Sequence, residues 1–271
     1  MKQYLQFLCL LLLVSCANKV APLKLEKGIS LELATYRKQQ ISDVEYHLSF
    51  DIPAEKTVPI PSSLTLNVLI HDLKNDLFLD FNEAESHLKS VNVNGEKTDI
   101  NHQKEHLIID KKELVLGENT IVISFDAGEL SLNRNEDFLY TLLVPDRAST
   151  LFPCFDQPDI KANYKLTITA PKKWEVLCGA FEESATDMGD FTKHIFNQTD
   201  KMSTYLFSFV AGKFTAVTKN PGAFDMRFLY RENNKEKIEE SVDEVFSIHQ
   251  KSIDFLEEYT QVKFPFQKMD F

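Results

Sequence analysis

The sequence is poor in positive charge, in glycine and in long apolar runs. Its 271 residues include 30 Lys and Arg against 41 Asp and Glu, which gives a formal net charge of −11. This acidic balance argues against a nucleic-acid-binding protein, because such a protein needs a basic surface to contact phosphates. Eight glycines exclude a collagen-like chain, and the apolar runs are too few and too short for a polytopic membrane protein.

What the sequence does contain is the composition of a folded protein with a large core. Hydrophobic residues make up 43% and charged residues 26%, and these values exclude a disordered chain. The 21 Phe, beside eight Tyr and one Trp, predict a sizeable core lined by β-sheets, since such large rings must be buried. The length suffices for one large domain or for two small ones.

One short apolar run lies at the N-terminus and has the features of a lipoprotein signal. Lys2 precedes the run, which ends in Leu13-Val14-Ser15-Cys16. A Leu and two small or medium residues before a cysteine resemble the bacterial lipobox, so we expect a cleaved signal peptide and lipidation of Cys16. An ordinary signal peptide with an incidental cysteine is the alternative. The expected location is the bacterial cell envelope, on the periplasmic or outer-membrane face, with the lipid bilayer as a partner through Cys16.

The four cysteines do not indicate a disulfide framework. Cys9 belongs to the expected signal peptide and Cys16 to the lipid attachment, which leaves Cys154 and Cys178. These two could pair in an oxidising compartment, but two separate buried thiols are the favoured interpretation.

Alternating apolar and polar residues predict a mainly β domain after a brief helix at residues 31–36, for which Ser30 is a possible N-cap. An Asn94-Gly95 pair predicts a two-residue hairpin. We expect many short antiparallel strands that form a sandwich or a strongly curved two-layer sheet. The inward-facing positions are predicted to be Val44, Tyr46, Leu48, Phe50, Ile52, Leu64, Leu66, Val68, Ile70, Leu77, Leu79, Phe81, Ile121, Ile123, Phe125, Tyr164, Leu166 and Ile168, and a further strand is predicted over residues 205–210.

The pattern changes near residue 216. One more strand is predicted at residues 226–230, and a long helix at 233–259. An aromatic tail follows, so we expect residues 216–271 to open a second domain whose body is missing. The predicted apolar face of the helix consists of Ile238, Val242, Val245, His249, Ser252 and Leu256, and His249 is interpreted as a half-buried structural residue.

Residues 102–106 match the H-x-x-E-H pattern of inverted zinc peptidases. That pattern requires a helix, on which both histidines share one face beside the glutamate. The flanking residues here indicate a hairpin, in which His102 and His106 would lie about 13 Å apart along a strand. We therefore interpret them as exposed loop histidines, and a tight loop that joins them at a metal is the alternative. The sequence contains no H-E-x-x-H, G-x-S-x-G, P-loop or G-x-G-x-x-G motif.

The segment from residue 138 to residue 158 is too rich in proline and aromatic residues to be a simple strand. Pro153 and Pro158 bracket four residues and keep them out of a helix. We expect a rigid crossover between sheets. Asp156 is predicted either to accept hydrogen bonds from backbone N–H groups or to pair with a cation such as Arg147.

Three motifs resemble the aminopeptidase N family of zinc metallopeptidases, in the same order and with similar spacing. The first resembles the family's F-P-C-F-D-E-P segment and comprises Tyr140, Pro145, Phe152, Pro153, Cys154, Phe155, Asp156, Gln157 and Pro158. The second is the stretch 205–214, similar to the strand that closes the N-terminal domain. The third, residues 255–259 with 264–270, is similar to the stretch that leads into the active site.

The resemblance implies a saddle-shaped antiparallel β-sandwich that lies over a thermolysin-like α/β catalytic domain. It divides the chain into a signal peptide at residues 1–15, a tether at 16–27, an N-terminal β domain at 28–215 and the start of an incomplete catalytic domain at 216–271. The family's G-x-M-E-N motif and H-E-x-x-H zinc helix are expected further on. This chain is therefore expected to carry no catalytic or metal-binding residue, and zinc belongs to the complete enzyme.

Two departures from the family pattern concern the segment before the first motif. Leu142 and Val144 stand where many members carry Gln or Glu that helps to bind the substrate's free amine. An ammonium ion that leaves water needs an acceptor or an anion, and these side chains supply neither. Ser149 stands near a position that is often Arg, and Arg147 is the candidate cation in its place.

The leading hypothesis is the N-terminal portion of a lipid-anchored zinc aminopeptidase that is inactive alone, with a peptide substrate only where the catalytic domain is present. One alternative is a surface β-sandwich lipoprotein that binds a peptide or a glycan. Another is a scaffold that docks a separate catalytic subunit. No hypothesis includes nucleic acid.

Overall fold

The computed structural model describes residues 23–222, 224–266 and 268–271. The expected signal peptide and Cys16 lie outside the described residues. Two α-helices are present in that part of the chain, α1 (Leu31–Gln40) and α2 (Lys235–Thr260), with three short 3-10 helices, Glu85–His87, Ala148–Thr150 and Thr204–Leu206. None of the helices described has the length and the apolar content needed to cross a bilayer.

The rest of the described backbone is mainly β, as the sequence predicts. The strands are β1 (Ile41–Asp51), β2 (Pro61–Ile70), β3 (Leu77–Asp80), β4 (Leu88–Val93), β5 (Glu96–Thr98), β6 (His102–Gln103), β7 (His106–Ile109), β8 (Gly117–Asp126), β9 (Leu132–Arg134), β10 (Phe138–Thr141), β11 (Ala162–Pro171), β12 (Glu175–Cys178), β13 (Glu182–Asp187), β14 (Phe191–Phe196), β15 (Phe209–Gly212), β16 (Thr215–Lys219), β17 (Met226–Tyr230) and β18 (Met269–Asp270).

Eight of these strands form one large sheet in the order β13-β14-β11-β1-β2-β8-β4-β5. Every inward position that the alternation predicts is buried in the structure. The β4–β5 hairpin turns at Asn94 and Gly95, both with positive φ (53° and 91°), which is the backbone of a two-residue hairpin turn. Residues of this sheet share one continuous hydrophobic core with residues of the sheets β12-β15-β10-β9 and β3-β7-β6.

The expectation of exclusively antiparallel strands is wrong at the centre of the large sheet. There β1 pairs with β11 in parallel, from Val44 opposite Ala162 to Asp51 opposite Thr169. Parallel neighbours need a long connection, and residues 52–161 between the two strands provide it. Alternation along a strand has the same period in both pairings, so it carries no information about direction.

The predicted strand over residues 205–210 is also partly wrong. The first part is the 3-10 helix Thr204–Leu206, and the strand begins only at Phe209. Between them Phe207 turns into the core, where its ring stacks on Tyr164 at 4.7 Å, and Tyr164 stacks on Tyr46 at 5.2 Å. The predicted strand is therefore interrupted where Phe207 packs into the core.

Helix α1 begins where its cap predicts and extends beyond the predicted length. The Ser30 Oγ accepts a hydrogen bond from the Leu33 N–H at 3.1 Å. The helix continues to Gln40 and buries Leu33, Arg37 and Gln40 against the domain. A fully buried arginine was not predicted by the sequence pattern.

A second, smaller cluster involves α2 and the sheet β16-β17-β18. Its buried residues are Met226, Phe246 and Ile253. The predicted helix face is therefore displaced by about one residue, since Leu256 is 54% exposed while Phe246 is buried. The prediction that His249 is half-buried is confirmed: its Nδ1 lies 2.8 Å from the Val245 carbonyl oxygen, and its ring stacks on a C-terminal Phe at 3.8 Å.

Candidate functional site

The proline-bracketed segment crosses the core as a rigid connection. Phe152, Cys154 and Phe155 are fully buried, and Asp156 and Gln157 are nearly so. Cys154 exchanges both of its backbone hydrogen bonds with Asp80 at the end of β3, at 2.7 and 3.0 Å. The segment thus joins the small sheet β3-β7-β6, which explains why it forms neither a helix nor a long strand.

Both ends of the segment are attached to neighbouring elements. The Gln157 amide donates to the Ala34 carbonyl of α1 at 3.1 Å. The Pro158 carbonyl accepts from the Ser203 hydroxyl at 2.6 Å. Inside the core, the Tyr46 hydroxyl accepts from the Phe155 N–H at 2.9 Å. Each polar group that these bonds satisfy would otherwise be buried at a cost of about 1–3 kcal/mol.

Asp156 is held by neutral donors, which is the first of the two predicted alternatives. Its carboxylate accepts from the Ser149 N–H at 2.9 Å and from the Thr204 hydroxyl at 2.8 Å. Arg147 instead donates to the Leu130 carbonyl at 2.9 Å, so the proposed pairing of Arg147 with Asp156 is wrong. Burial raises the pKa of Asp156, and the two hydrogen bonds oppose that rise without cancelling it.

Next to this carboxylate lies a buried ionic network that sequence reasoning missed. Arg37 forms two hydrogen bonds with the Asp80 carboxylate, both at 2.8 Å, and one with the Phe78 carbonyl at 2.9 Å. The second Asp80 oxygen also accepts from the Asp156 N–H at 2.8 Å. Burial alone would raise the pKa of Asp80, but the charges and hydrogen bonds of Arg37 and His106 more than offset it and hold the pKa below its usual value.

The H-x-x-E-H pattern lies on the hairpin that the flanking residues predict. His102 is in β6 and His106 in β7, with Lys104 and Glu105 in the turn at positive φ. The His102 Nε2 lies 2.8 Å from the Phe81 carbonyl oxygen. His106 is 1% exposed and His102 is half-buried within β6, so the interpretation of the two as exposed loop histidines is wrong.

The described residues do not fit a zinc ion. Within residues 23–222, 224–266 and 268–271 no group of three or more His, Cys, Asp or Glu side chains could hold a metal. His106 faces Asp80 across 3.0 Å, and that carboxylate is already occupied by Arg37. The pair is therefore part of the ionic network and not half of a metal site.

The two cysteines of the described region are separate thiols. Cys154 and Cys178 are both free and buried. Burial raises the pKa of Cys178 to about 11 and that of Cys154 well above its usual value. A thiol that does not ionise is a poor nucleophile, so neither cysteine has the chemistry of a catalyst.

The loop after β10 exposes Leu142 and Val144, two residues that depart from the family pattern. Tyr140 is half-buried, and its hydroxyl accepts from the Asn133 amide at 2.6 Å. Beyond the strand, Leu142 and Val144 are 52% and 63% exposed, and Val144 precedes Pro145 through a cis peptide bond. The loop thus presents two apolar side chains to the surface and no acidic side chain at those positions.

This chain is similar to several known aminopeptidases. The family model of the peptidase M1 N-terminal domain matches residues 43–206. Probable M1 family aminopeptidase 2 of Encephalitozoon cuniculi is 43% identical over 79 residues, which are 28% of this chain and 9% of that relative. Glutamyl aminopeptidase of Mus musculus is 31% identical over 128 residues, 46% of this chain and 13% of the relative.

A longer match covers nearly the whole chain. Aminopeptidase N of Streptomyces lividans is 24% identical over 259 residues, which are 90% of this chain and 29% of that relative. In each of these three matches the aligned region spans less than a third of the relative's own length. The family model covers more than half of the chain and includes the whole buried segment around Cys154. On these grounds the chain belongs to the peptidase M1 family, and residues 43–206 are its N-terminal domain.

Proposed function

We propose that this chain is the N-terminal portion of a zinc aminopeptidase, which removes N-terminal residues from peptides when complete. The observation that carries the proposal is the family match over residues 43–206, supported by relatives that are named aminopeptidases. The mainly β architecture with several sheets fits the saddle-shaped sandwich expected of this domain. In the complete enzyme, this domain would contribute a rigid platform and not the reacting groups.

Residues 216–271 are proposed to begin the catalytic domain. Three observations support this division. Residues 216–271 contribute a separate hydrophobic cluster around Phe246, and the alignment with the Streptomyces relative extends over 90% of the chain. Helix α2 also presents large apolar side chains to the surface, as a helix does when it packs against a further part of a domain. These exposed residues are Ile248, Phe255, Leu256 and Tyr259, followed by Val262 beyond the helix.

The 271-residue polypeptide by itself is proposed to bind no zinc and to hydrolyse no peptide. Its sequence lacks H-E-x-x-H, and the described residues offer no metal cluster. The test is metal analysis of the purified polypeptide with an aminoacyl-anilide assay, in parallel with an established M1 aminopeptidase. Stoichiometric zinc, or turnover that a chelator removes, would contradict the proposal. Loss of that turnover in a His102→Ala, His106→Ala variant would then locate the activity in the β6–β7 hairpin.

A scaffold that docks a separate catalytic subunit is the second candidate. The exposed apolar side chains of α2 favour it as well, because a subunit could cover them as readily as a continuous domain. Sequencing the DNA that follows codon 271 separates the two. An in-frame continuation that encodes G-x-M-E-N and H-E-x-x-H supports one enzyme, whereas a separate peptidase reading frame supports the scaffold.

Lipidation at Cys16 and location in the bacterial envelope are part of the proposal. Metabolic labelling with a palmitate analogue should label the wild-type protein and a Cys9→Ser variant, since Cys9 would leave with the signal peptide. A Cys16→Ser variant should remain unlabelled. Labelling of the Cys16→Ser variant, or none in the wild type, would contradict the assignment.

Leu142 and Val144 are proposed to leave the substrate's amine without a partner at this loop. Their exposure and apolar character support the proposal. In the complete enzyme, Leu142→Glu should then lower KM for peptides with a free N-terminus, and Leu142→Met should leave KM unchanged. Equal KM values in the two variants would show that the loop lies away from the amine.

A further inference from the structure

The first described residues form an N-terminal strap, residues 23–29, that lies against the β6–β7 hairpin. The Leu23 N–H lies 3.4 Å from the Asn75 side-chain oxygen at one end of the strap. The Lys104 ammonium donates to the Leu25 carbonyl at 2.8 Å, and Lys27 pairs with Glu105 at 3.2 Å. Both lysines are exposed, so each of their contacts contributes little by itself.

His106 is the buried contact of the strap. Its Nε2 lies 3.1 Å from two carbonyl oxygens of the strap, those of Glu26 and Gly28. Carbonyl oxygens only accept, so Nε2 must carry a hydrogen to bind either of them. On the other side of the ring, Nδ1 lies 3.0 Å from an Asp80 carboxylate oxygen, within ion-pair distance.

Both ring nitrogens of His106 therefore face acceptors. A neutral imidazole carries one hydrogen and one lone pair, and either tautomer would direct the lone pair at an oxygen. With hydrogen on Nε2, the lone pair of Nδ1 would face the Asp80 carboxylate. With hydrogen on Nδ1, the lone pair would face the two carbonyls of the strap. The imidazolium form, with hydrogens on both nitrogens, satisfies all of these contacts.

The charges around the ring favour the same form. Asp80 reaches His106 from β3, and Arg37 reaches Asp80 from α1. A cavity of ≈ 250 Å³ beside the ring is lined by further carboxylates and by the strap itself. Arg37 and a protonated His106 balance the two most buried carboxylates, Asp80 and Asp156, to a net charge of zero. The remaining charged groups that line this cavity, Glu105 and Asp146, are both negative.

We propose that His106 is a proton-dependent clasp for the N-terminal strap. In the protonated state it donates to the strap through Nε2 and pairs with the Asp80 carboxylate through Nδ1. When it loses one proton, it can keep the strap or the carboxylate contact but not both, and the strap becomes free to detach. Docking of the strap is then favoured in the protonated range and weakens as the pH rises, with a limiting slope of about tenfold per pH unit for one proton.

The test is hydrogen–deuterium exchange of the purified chain between about pH 5.5 and about pH 8.5, a range that brackets imidazole titration. Exchange is corrected for the intrinsic pH dependence of amides. Protection of residues 23–30 should fall as the pH rises, while protection of β2, the reference, should stay constant. A Lys104→Gln variant should exchange faster in the strap but keep the pH dependence, because the contact that it loses is not made by the His106 ring.

A His106→Gln variant should exchange rapidly in the strap at every pH, with β2 still protected. Nitrogen-15 NMR of the wild-type histidine ring gives an independent readout should that variant fail to fold. Hydrogens on both nitrogens at about pH 6 support the clasp. A neutral ring at that pH with the strap docked, or strap protection that does not depend on pH, would overturn it.

Discussion

The Arg37–Asp80 pair yields the sharpest test of how this domain is held together. Replacing Arg37 with Met removes two hydrogen bonds to Asp80, one to the Phe78 carbonyl, and a guanidinium that lies 5.4 Å from the centre of the Phe155 ring. The Met side chain fills part of the space but leaves the carboxylate without its main counter-charge. Asp80 keeps His106 and the Asp156 N–H as partners.

The expected loss is about 3–5 kcal/mol in the free energy of unfolding, since breaking a buried pair strands the remaining charge. The matched control is Lys38→Met, one residue further along the same helix. Lys38 pairs with Asp159 at 2.6 Å, but both side chains are exposed, 60% and 49%. Lys38→Met should lower the free energy of unfolding by no more than about 1 kcal/mol.

The assay is urea unfolding followed through Trp174, which is the single tryptophan of the sequence and is 7% exposed. A double variant with Asp80→Asn in addition to Arg37→Met should lose less stability than the sum of the two single changes, because it no longer buries an unpaired charge. The ionic network does not stabilise the domain if Arg37→Met lowers the free energy of unfolding as little as Lys38→Met does. Simple additivity of the Arg37→Met and Asp80→Asn effects would contradict it as well.

The same pair gives the stability a defined dependence on pH. The pKa of Asp80 is lower in the folded protein than its usual value, because Arg37 and His106 outweigh the effect of burial. Its ionised form therefore contributes stability above about pH 4, the usual value for Asp, and that contribution is lost as the pH falls through the lower folded value. In Arg37→Met the loss should begin at a higher pH, which urea unfolding at a series of acidic pH values would show.

Three further predictions concern the core. Asp156→Ala should lower the free energy of unfolding by about 1–3 kcal/mol, since it removes the acceptor of two buried hydrogen bonds, and an unchanged melting temperature would refute this. Cys154 and Cys178 should resist alkylation in the folded protein and react after urea unfolding, as mass mapping would show. Gly128→Ala should lower the free energy of unfolding by more than about 2 kcal/mol, because the new Cβ would lie 2.0 Å from a backbone oxygen. The control is Gly179→Ala, whose Cβ would lie 3.9 Å from the nearest atom and which should lower it by less than about 1 kcal/mol. Equal losses in urea unfolding would contradict the expected steric clash at Gly128.

The sequence predicts well those features that depend on local periodicity. Tyr46 and Phe125 are assigned to the core from alternation alone, because a half-buried strand repeats every two residues. The Ser30 cap and the turn at Asn94 are predicted for similar reasons, since each depends on a few adjacent residues. The aromatic and proline residues around Cys154 likewise predict a buried, irregular connection.

The features that sequence reasoning missed depend on contacts between distant residues. Arg37 and Asp80 lie 43 positions apart, and a charged residue within an apolar strand or a short helix gives no signal of its partner. The pairing of His106 with the strap spans 78 and 80 positions. The direction of β11 beside β1 was missed as well, because side-chain alternation is the same in parallel and antiparallel pairs.

That central parallel pair has a consequence for the order in which the domain can fold. Strand β1 lies between β2, which follows it closely in the chain, and β11, whose residues are synthesised more than 100 positions later. Until β11 emerges, one edge of β1 has exposed backbone donors and acceptors and an unfinished apolar face, the condition in which strands aggregate. Closing the sheet also requires a long-range contact whose entropy cost slows folding. Completion of the large sheet, and not formation of its hairpins, is therefore the step we expect to limit the folding rate.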